Sequence, residues 1–357
     1  MNTVDVAIVG GGIVGAVVAR ETAAAFPGAD IVVLEQGLIG HGAASRSAGV
    51  HFPRGATDRI RSMTSYSHHY WQDAAAELDL PLYEVEATVV ASAVNADSVR
   101  TAYLNLGEPV SDVHPEQGWT APPGTVAWAV SGCHYADVGA VTARILTALR
   151  DRVTIWEGSE VVAIDPGEDT RLTLAHGAGL RARLVVLCPG PWIAHPAWAD
   201  LIVPLGVRVK KIVAAHIEVV PDANQPLVIF HDEDAFLLPV RNRRHLLFSY
   251  TCDVWDVSPD TVGPGMSLSD LDSARSVIER YWPELASRCQ SGRVFCDAYS
   301  RHREPVIAEL RPGLIFAGAA SGSGYRLAPA IAGEVLTCLD PVAAVSQTLR
   351  PIRQRHS

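Results

Sequence analysis

VDVAIVGGGIVGAVVARETAAAFPGADIVVLEQG, residues 4–37, is the stretch whose reading decides the fold. Residues 4–9 form a short apolar run of strand type, Gly10, Gly12 and Gly15 make a Gly-x-Gly-x-x-Gly turn, and residues 16–25 read as the helix that follows. A second apolar run, residues 31–34, ends in Glu35, 20 residues beyond Gly15. This is a βαβ unit with an acid where a ribose hydroxyl is held. Gly10 makes the tight turn, Gly12 lacks a Cβ so that a pyrophosphate can approach the backbone, and Gly15 lets helix and strand pack closely. The helix N-terminus offers free N–H groups and positive dipole to phosphates, and Ile13 and Val14 in the same turn are counted with the cofactor-binding residues. By itself the motif admits NAD, NADP or FAD; Glu35, followed by Gln36, disfavours NADP.

The bulk properties narrow the setting. A chain of 357 residues suggests two domains, and a hydrophobic content of 48% is ample for a buried core. A net charge of -10 argues against nucleic acid or an anionic membrane as partner. Cysteines 133, 188, 252, 289, 296 and 338 lack CxxC spacing, so neither a disulfide framework nor a metal site is expected. The first strand begins at the fourth residue, which leaves no room for a signal peptide. No apolar run has the length of about 18 residues that a membrane span needs. The expectation is a soluble cytoplasmic protein without a membrane span.

Further along, residues 58–78 read as helix, 84–91 and 124–130 as strands, and 138–149 as a helix with Asp137 as N-cap. Strands are expected at 153–155, 161–164, 171–174 and 184–188, the last running into CPGPW. Residues 203–250 are largely β, and 270–280 form a helix preceded by Ser269 as cap. The chain closes with GLIFAGAASGSGYRLAPAIAGEVLTCL, residues 313–339: a strand, a glycine-rich loop and a helix. The expected class is α/β. A nucleotide domain is assembled from residues 1–50, 134–205 and 293–357, and a mainly antiparallel β-sheet substrate domain is inserted as residues 51–133 and 206–292.

Two other segments are rich in small residues. In GHGAASRSAGVHF, residues 40–52, the backbone can lie against a flat ligand, and Ser45, Arg46 and Ser47 suit phosphate or ribitol oxygens. The closing loop leads into a helix whose N-terminus faces whatever sits before residues 322–326. If that is the N1–O2 edge of a flavin, the dipole stabilises the reduced anion.

Together these segments resemble the D-amino-acid oxidase and dehydrogenase superfamily of FAD enzymes, which includes glycine oxidase, monomeric sarcosine oxidase and D-arginine dehydrogenase. VAIVGGGIVG with VVLEQG, LVVLCPGPW, PLGVRVKK and GLIFAGAASGSGYRLAPAIAGE carry the resemblance over nearly the whole chain. It implies a Rossmann-like (GR2-type) domain binding FAD in extended form, with the isoalloxazine facing the inserted sheet. By this similarity Gly10, Gly12, Gly15, Glu35, Ser45, Arg46, Gly190, Gly318 and Gly324 touch FAD, Val161 or Val162 lies beside the adenine, and Ser47, Gly322 and Tyr325 belong to the same surface.

The resemblance also implies oxidation of a C–N bond, with hydride passing to flavin N5. Arg326 matches the position where sarcosine-oxidase-like members place a lysine on the substrate carboxylate, and an arginine serves as a bidentate clamp. Tyr325 beside it is a candidate for substrate contact. His51 is expected to contact substrate and to accept a proton from its ammonium; Arg54 is a weaker candidate in the same place. Phe236 and Tyr250 match strands that face the flavin. There are departures. Where many relatives carry a carboxylate-binding arginine this chain has Asp297, which could hold an amine or guanidinium instead. Cys296 matches the site of thioether attachment in sarcosine oxidases, but VFCDAYS fits that motif only in part, and the expectation is non-covalent FAD. The lysine that promotes oxygen reduction in sarcosine oxidases is replaced near Leu247, which leaves O2 or another acceptor open. The other readings are oxidation of a 2-hydroxy acid and a flavin-binding subunit without turnover.

Overall fold

The computed structural model describes residues 2–110 and 120–345. The opening motif folds as a βαβ unit, strand Asn2–Val9, helix Ile13–Ala25 and strand Ile31–Leu34, with the strand beginning two residues and the helix three residues earlier than read. Five parallel strands follow one another across the sheet in the order Thr154–Trp156, Ile31–Leu34, Asn2–Val9, Gly179–Leu187 and Leu314–Gly318. Ile31–Leu34 and Leu314–Gly318 are buried at every position, as an apolar run covered on both faces should be. Gly179–Leu187 forks: residues 179–182 pair with the antiparallel strand Thr170–Leu174, and residues 185–187 with Leu314–Gly318. One face is covered by Ile13–Ala25, which packs on Val138–Ala148 and on the closing helix Gly324–Val345. Asp137 caps Val138–Ala148 as expected, accepting the Ala140 N–H.

Helix Asp58–Leu78 differs from its sequence-based assignment to the inserted part. It packs on Gly324–Val345, and Ile60, Met63, Trp71 and Ala74 enter the core of the nucleotide layer. Its apolar face, not its place between strands of the other sheet, decides where it docks.

A second eight-stranded sheet runs in the order Cys289–Tyr299, Arg208–Ile217, His245–Tyr250, Ala235–Val240, Leu227–Phe230, Ala87–Ser92, Thr125–Val130 and Leu106–Val110. All its neighbours are antiparallel except Leu227–Phe230 beside Ala87–Ser92. Helix Leu268–Glu279 closes one face with Ala274 and Ile278; the other face looks toward the nucleotide layer.

Two boundaries shift. The strand expected at 84–91 is split into Leu82–Glu84, in a small three-stranded sheet, and Ala87–Ser92 in the large one. The cap of Leu268–Glu279 is Ser267 rather than Ser269: its hydroxyl accepts the Asp270 N–H at 3.2 Å while the Asp270 carboxylate accepts the Ser267 N–H at 2.9 Å. Among the described residues no helix is long and apolar enough to cross a membrane.

Candidate functional site

A cavity of ≈ 300 Å³ opens above the C-terminal ends of the parallel strands. Gly10, Gly12, Ile13, Val14, Gly15, Glu35, Gln36, Gly190, Gly318 and Gly324 all line it. The three motif glycines are required for different reasons. Gly10 sits at φ +114, and a Cβ there would lie 2.2 Å from the Cys188 carbonyl oxygen. A Cβ on Gly15 would lie 2.0 Å from the Gly10 carbonyl oxygen. A Cβ on Gly12 would meet nothing within 4 Å, so the space it leaves free belongs to a ligand. Gly12 is also the N-cap of Ile13–Ala25, with no side chain closing the first turn. A helix end with uncapped N–H groups above a cleft is a phosphate seat. Glu35 is pinned as its oxygens accept the Gly11 and Gly37 N–H groups, both at 2.8 Å, which leaves lone pairs for ribose hydroxyls. The residues present therefore fit an extended dinucleotide.

Four expected cofactor residues are placed differently. Val162 faces outward at 39% exposure while Val161 is buried against the cavity, because successive strand side chains alternate. Ser45 and Arg46 line neither large cavity. Ser45 turns its hydroxyl back on the carbonyls of His41 and Gly42, and Ser47 donates to that of Ala44 but does border the second cavity described below. This segment is gripped from the second sheet by Arg293, which donates to the carbonyls of Arg46 at 2.6 Å and Ser47 at 3.1 Å. Nothing in the local sequence around Arg293 signals that role.

The second cavity, ≈ 340 Å³, adjoins the first; Ile13, Ala43, Ala44, Asp297 and Gly324 line both. It lies between residues 43–57, the face of the second sheet carrying Lys210, Ile212, Ala214, Phe236, Phe295, Asp297 and Tyr299, and the loop 321–326. In that loop Ser321 and Gly322 are left-handed, at φ 53 and 80, as is Ala319 before it at φ 52. Non-glycine residues in this region store backbone strain, which sites commonly hold.

Arg326 is 7% exposed and lines this cavity. Its guanidinium donates to the Arg54 carbonyl, to the Thr64 hydroxyl at 2.8 Å and to the Ser323 hydroxyl at 3.0 Å, and lies over the Phe52 ring. These partners are all neutral. Burial, with Arg54 nearby, pushes its pKa down to about 10, so it stays cationic. Asp297 faces both cavities; burial pushes its carboxyl up to about 7, partly offset by the N–H groups of Ala298 and Gly322.

His51 does not reach the cavity. Its neighbours Val50 and Phe52 line it, whereas His51 turns the other way, fully buried and stacked on His134 at 4.7 Å and on His68 at 5.4 Å. Tyr325 borders the cavity, but its hydroxyl is 2.9 Å from His134 Nε2 and its ring stacks on Trp71. Phe236 lines the second cavity. Tyr250 lies at the edge with its hydroxyl turned away, donating to the Asp270 carbonyl. Cys296 is 3% exposed and points into the apolar core behind the sheet, with its thiol pushed up to about 11, first by burial and then by Asp297. It lines neither cavity.

Three cations of the second cavity were not anticipated as a group. Lys210 is 3% exposed, its ammonium 4.8 Å from the Trp255 ring centre and 5.5 Å from that of Tyr299. Arg54 and Arg303 flank Asp234 at 3.5 and 3.8 Å. The lysine pair was visible in PLGVRVKK, but only the register of the sheet decides which lysine faces inward.

A model of the family described as FAD dependent oxidoreductase (DAO) matches residues 5–339. Solved structures of the same fold include glycine oxidase from Geobacillus kaustophilus, with TM-score 0.76, 19% identity, and coverage of 98% of this chain and 97% of that one. L-proline dehydrogenase from P. horikoshii gives 0.75 at 15% identity, covering 98% and 95%. Amadoriase I from Aspergillus fumigatus gives 0.76 at 17%, covering 98% and 88%. A search of curated protein sequences finds no match.

Proposed function

Because the chain belongs to the FAD-dependent oxidoreductase (DAO) family, an enzyme family whose cofactor is FAD, we propose that it oxidises the C–N bond of an amino acid or related carboxylated amine to the imine. One observation carries this reading: Arg326 is a buried, permanently charged guanidinium facing the second cavity with only neutral oxygens around it. A buried cation without a counter-ion is costly, and a substrate carboxylate is the partner that relieves it. FAD, when bound, supplies the hydride acceptor.

The chain's own residues position and deprotonate. Arg326 fixes the carboxylate, and Phe52 and Phe236 wall the space and exclude water. Asp297 takes the role His51 was expected to fill. It faces the junction of the two cavities, and a carboxyl with a pKa of about 7 can take a proton from an ammonium near neutrality. Similarity to an oxidase of glycine and a dehydrogenase of L-proline supports an amino-acid substrate.

The reading is tested by anaerobic addition of amino acids, N-methyl amino acids and 2-hydroxy acids to the yellow protein. Bleaching by amines is expected; bleaching by hydroxy acids alone would replace this reading with alcohol oxidation. Arg326→Ala should raise KM about 100-fold, the scale of a lost buried charge-assisted pair. An unchanged KM would remove the clamp.

A further inference from the structure

We infer that the substrate carries a second carboxylate, held by Lys210 while Arg326 holds the first. The inference rests on the proposed role of Arg326 and narrows its substrate to a dicarboxylic amino acid or its N-substituted equivalent.

The chain as a whole is acidic, with a net charge of -10, yet the second cavity is cationic. Lys210, Arg54, Arg303 and Arg326 line it, against Asp234, Asp297 and Glu304. Glu304 is already engaged by Arg59 at 3.0 Å and the Thr57 hydroxyl at 2.7 Å. Asp234 stands between Arg54 and Arg303 and offsets one of the two. Asp297, raised toward neutrality by burial, offsets a cation only in part. More than one positive charge is therefore left for a ligand to match.

Lys210 is where that surplus is least screened. It is buried, and among the described residues no carboxylate oxygen lies within 4.0 Å of its ammonium and no hydrogen bond is made to it. Asp234 and Asp253 act on it only from farther away. The faces of two aromatic rings hold it in place. Its neighbour Lys211, on the opposite side of the same strand, shows how this fold treats a structural lysine: both Asp270 oxygens meet it, at 2.7 and 2.8 Å. Lys210 has Asp297 opposite it across the strand pair, but among the described residues no carboxylate oxygen closes on its ammonium as Asp270 closes on Lys211. A buried ammonium without a counter-charge is costly, so a ligand anion has much to gain there. Arg54, Asp234 and Arg303 form a chain of charged neighbours from the Arg326 end of the cavity to the Lys210 end. The two unmatched cations thus line one cavity with other charged residues between them, so two separate carboxylates of one ligand are needed to meet both.

Isothermal titration of the FAD-loaded enzyme with non-oxidisable acids tests this directly. Malonate, succinate and glutarate are compared with acetate, propionate and butyrate. At least one dicarboxylate should bind at least tenfold more tightly than every monocarboxylate. Lys210→Met should abolish that advantage while leaving monocarboxylate affinity within about twofold, and Lys210→Arg should retain most of it. Arg326→Ala should weaken both classes. A wild type without preference for dicarboxylates overturns the inference whether or not the variants fold, and so does a preference that survives in Lys210→Met. If monocarboxylates bind through Arg326 and dicarboxylates bind no better, Lys210 alone is misassigned. If no acid binds, the Arg326 reading itself fails.

Discussion

Gly12 and Gly15 lie three positions apart in one turn and answer to different partners. Gly15 is needed by the protein, since its Cβ would strike the Gly10 carbonyl oxygen, while Gly12 is needed by the ligand, since its Cβ would enter open cavity. The consequences of substitution should separate accordingly. Gly15→Ala overpacks a backbone contact and should cost the apo-protein about 3 kcal/mol, read from thermal or urea unfolding. Gly12→Ala should leave apo-protein stability within about 1 kcal/mol, the scale of a changed N-cap, yet weaken FAD at least tenfold in a fluorescence titration. Equal loss of stability in both variants would show that Gly12 is structural too. The same split between chain and ligand was legible from the motif spacing, because each glycine there has a backbone reason. His51 shows the opposite case: its position next to the small-residue segment was visible, but the side of a two-residue strand on which it lies was not.

At the scale of elements, strand Cys289–Tyr299 decides much of the chemistry through alternation. Asp297 and Tyr299 share the face of the second cavity with Lys210, opposite which Asp297 is registered; Cys296 packs in the core behind, and Ala298 also borders the first cavity. The thioether attachment considered for Cys296 would have to start from a buried thiol that lines neither cavity. Acid precipitation should release free FAD into the supernatant, measured by its absorbance and fluorescence. A yellow pellet that turns colourless in Cys296→Ala would mean that the Cys296 thiol reaches the flavin after all. The sequence specified elements better than faces. The βαβ unit, helix Asp58–Leu78 and the cap at Asp137 were all legible, because a helical period and a cap are local. A strand such as CQSGRVFCDAY has no clean alternation to orient it, and a lysine pair such as Lys210 and Lys211 gives no hint which member turns inward. Those choices are made by the partner strand and by helix Leu268–Glu279, which lie far away in sequence.

For the whole molecule, the buried titratable groups set a pH response in which two opposing slopes compete. His51 and His134 are 0% and 5% exposed. Burial above all, and then the neighbouring imidazoles, hold His51 well below its ordinary pKa and push His134 down to about 3. His216 is lowered to about 4 by burial and Arg293. Between pH 6.5 and 4 the unfolded chain binds protons at these positions that the folded chain does not, so stability falls as pH falls. Each such histidine contributes about 1.4 kcal/mol per pH unit. Asp297 runs the other way. Its folded pKa of about 7 lies above the unfolded value of 3.8, so the folded state binds the extra proton and gains stability as pH falls from 7 toward 4. Two deeply buried histidines against one aspartate leave about one proton net, with His216 adding to the histidine side, so acidification below pH 6.5 should destabilise. Melting temperature measured from pH 4.5 to 7.5 checks the count. The fall should become shallower in His134→Asn, which removes one proton taken up on unfolding, and steeper in Asp297→Asn, which removes the opposing group. Since both slopes are defined by proton number rather than absolute stability, a general loss of packing in either variant would lower the whole curve without changing its slope. Unchanged slopes would mean that these groups are not titrating as their burial dictates.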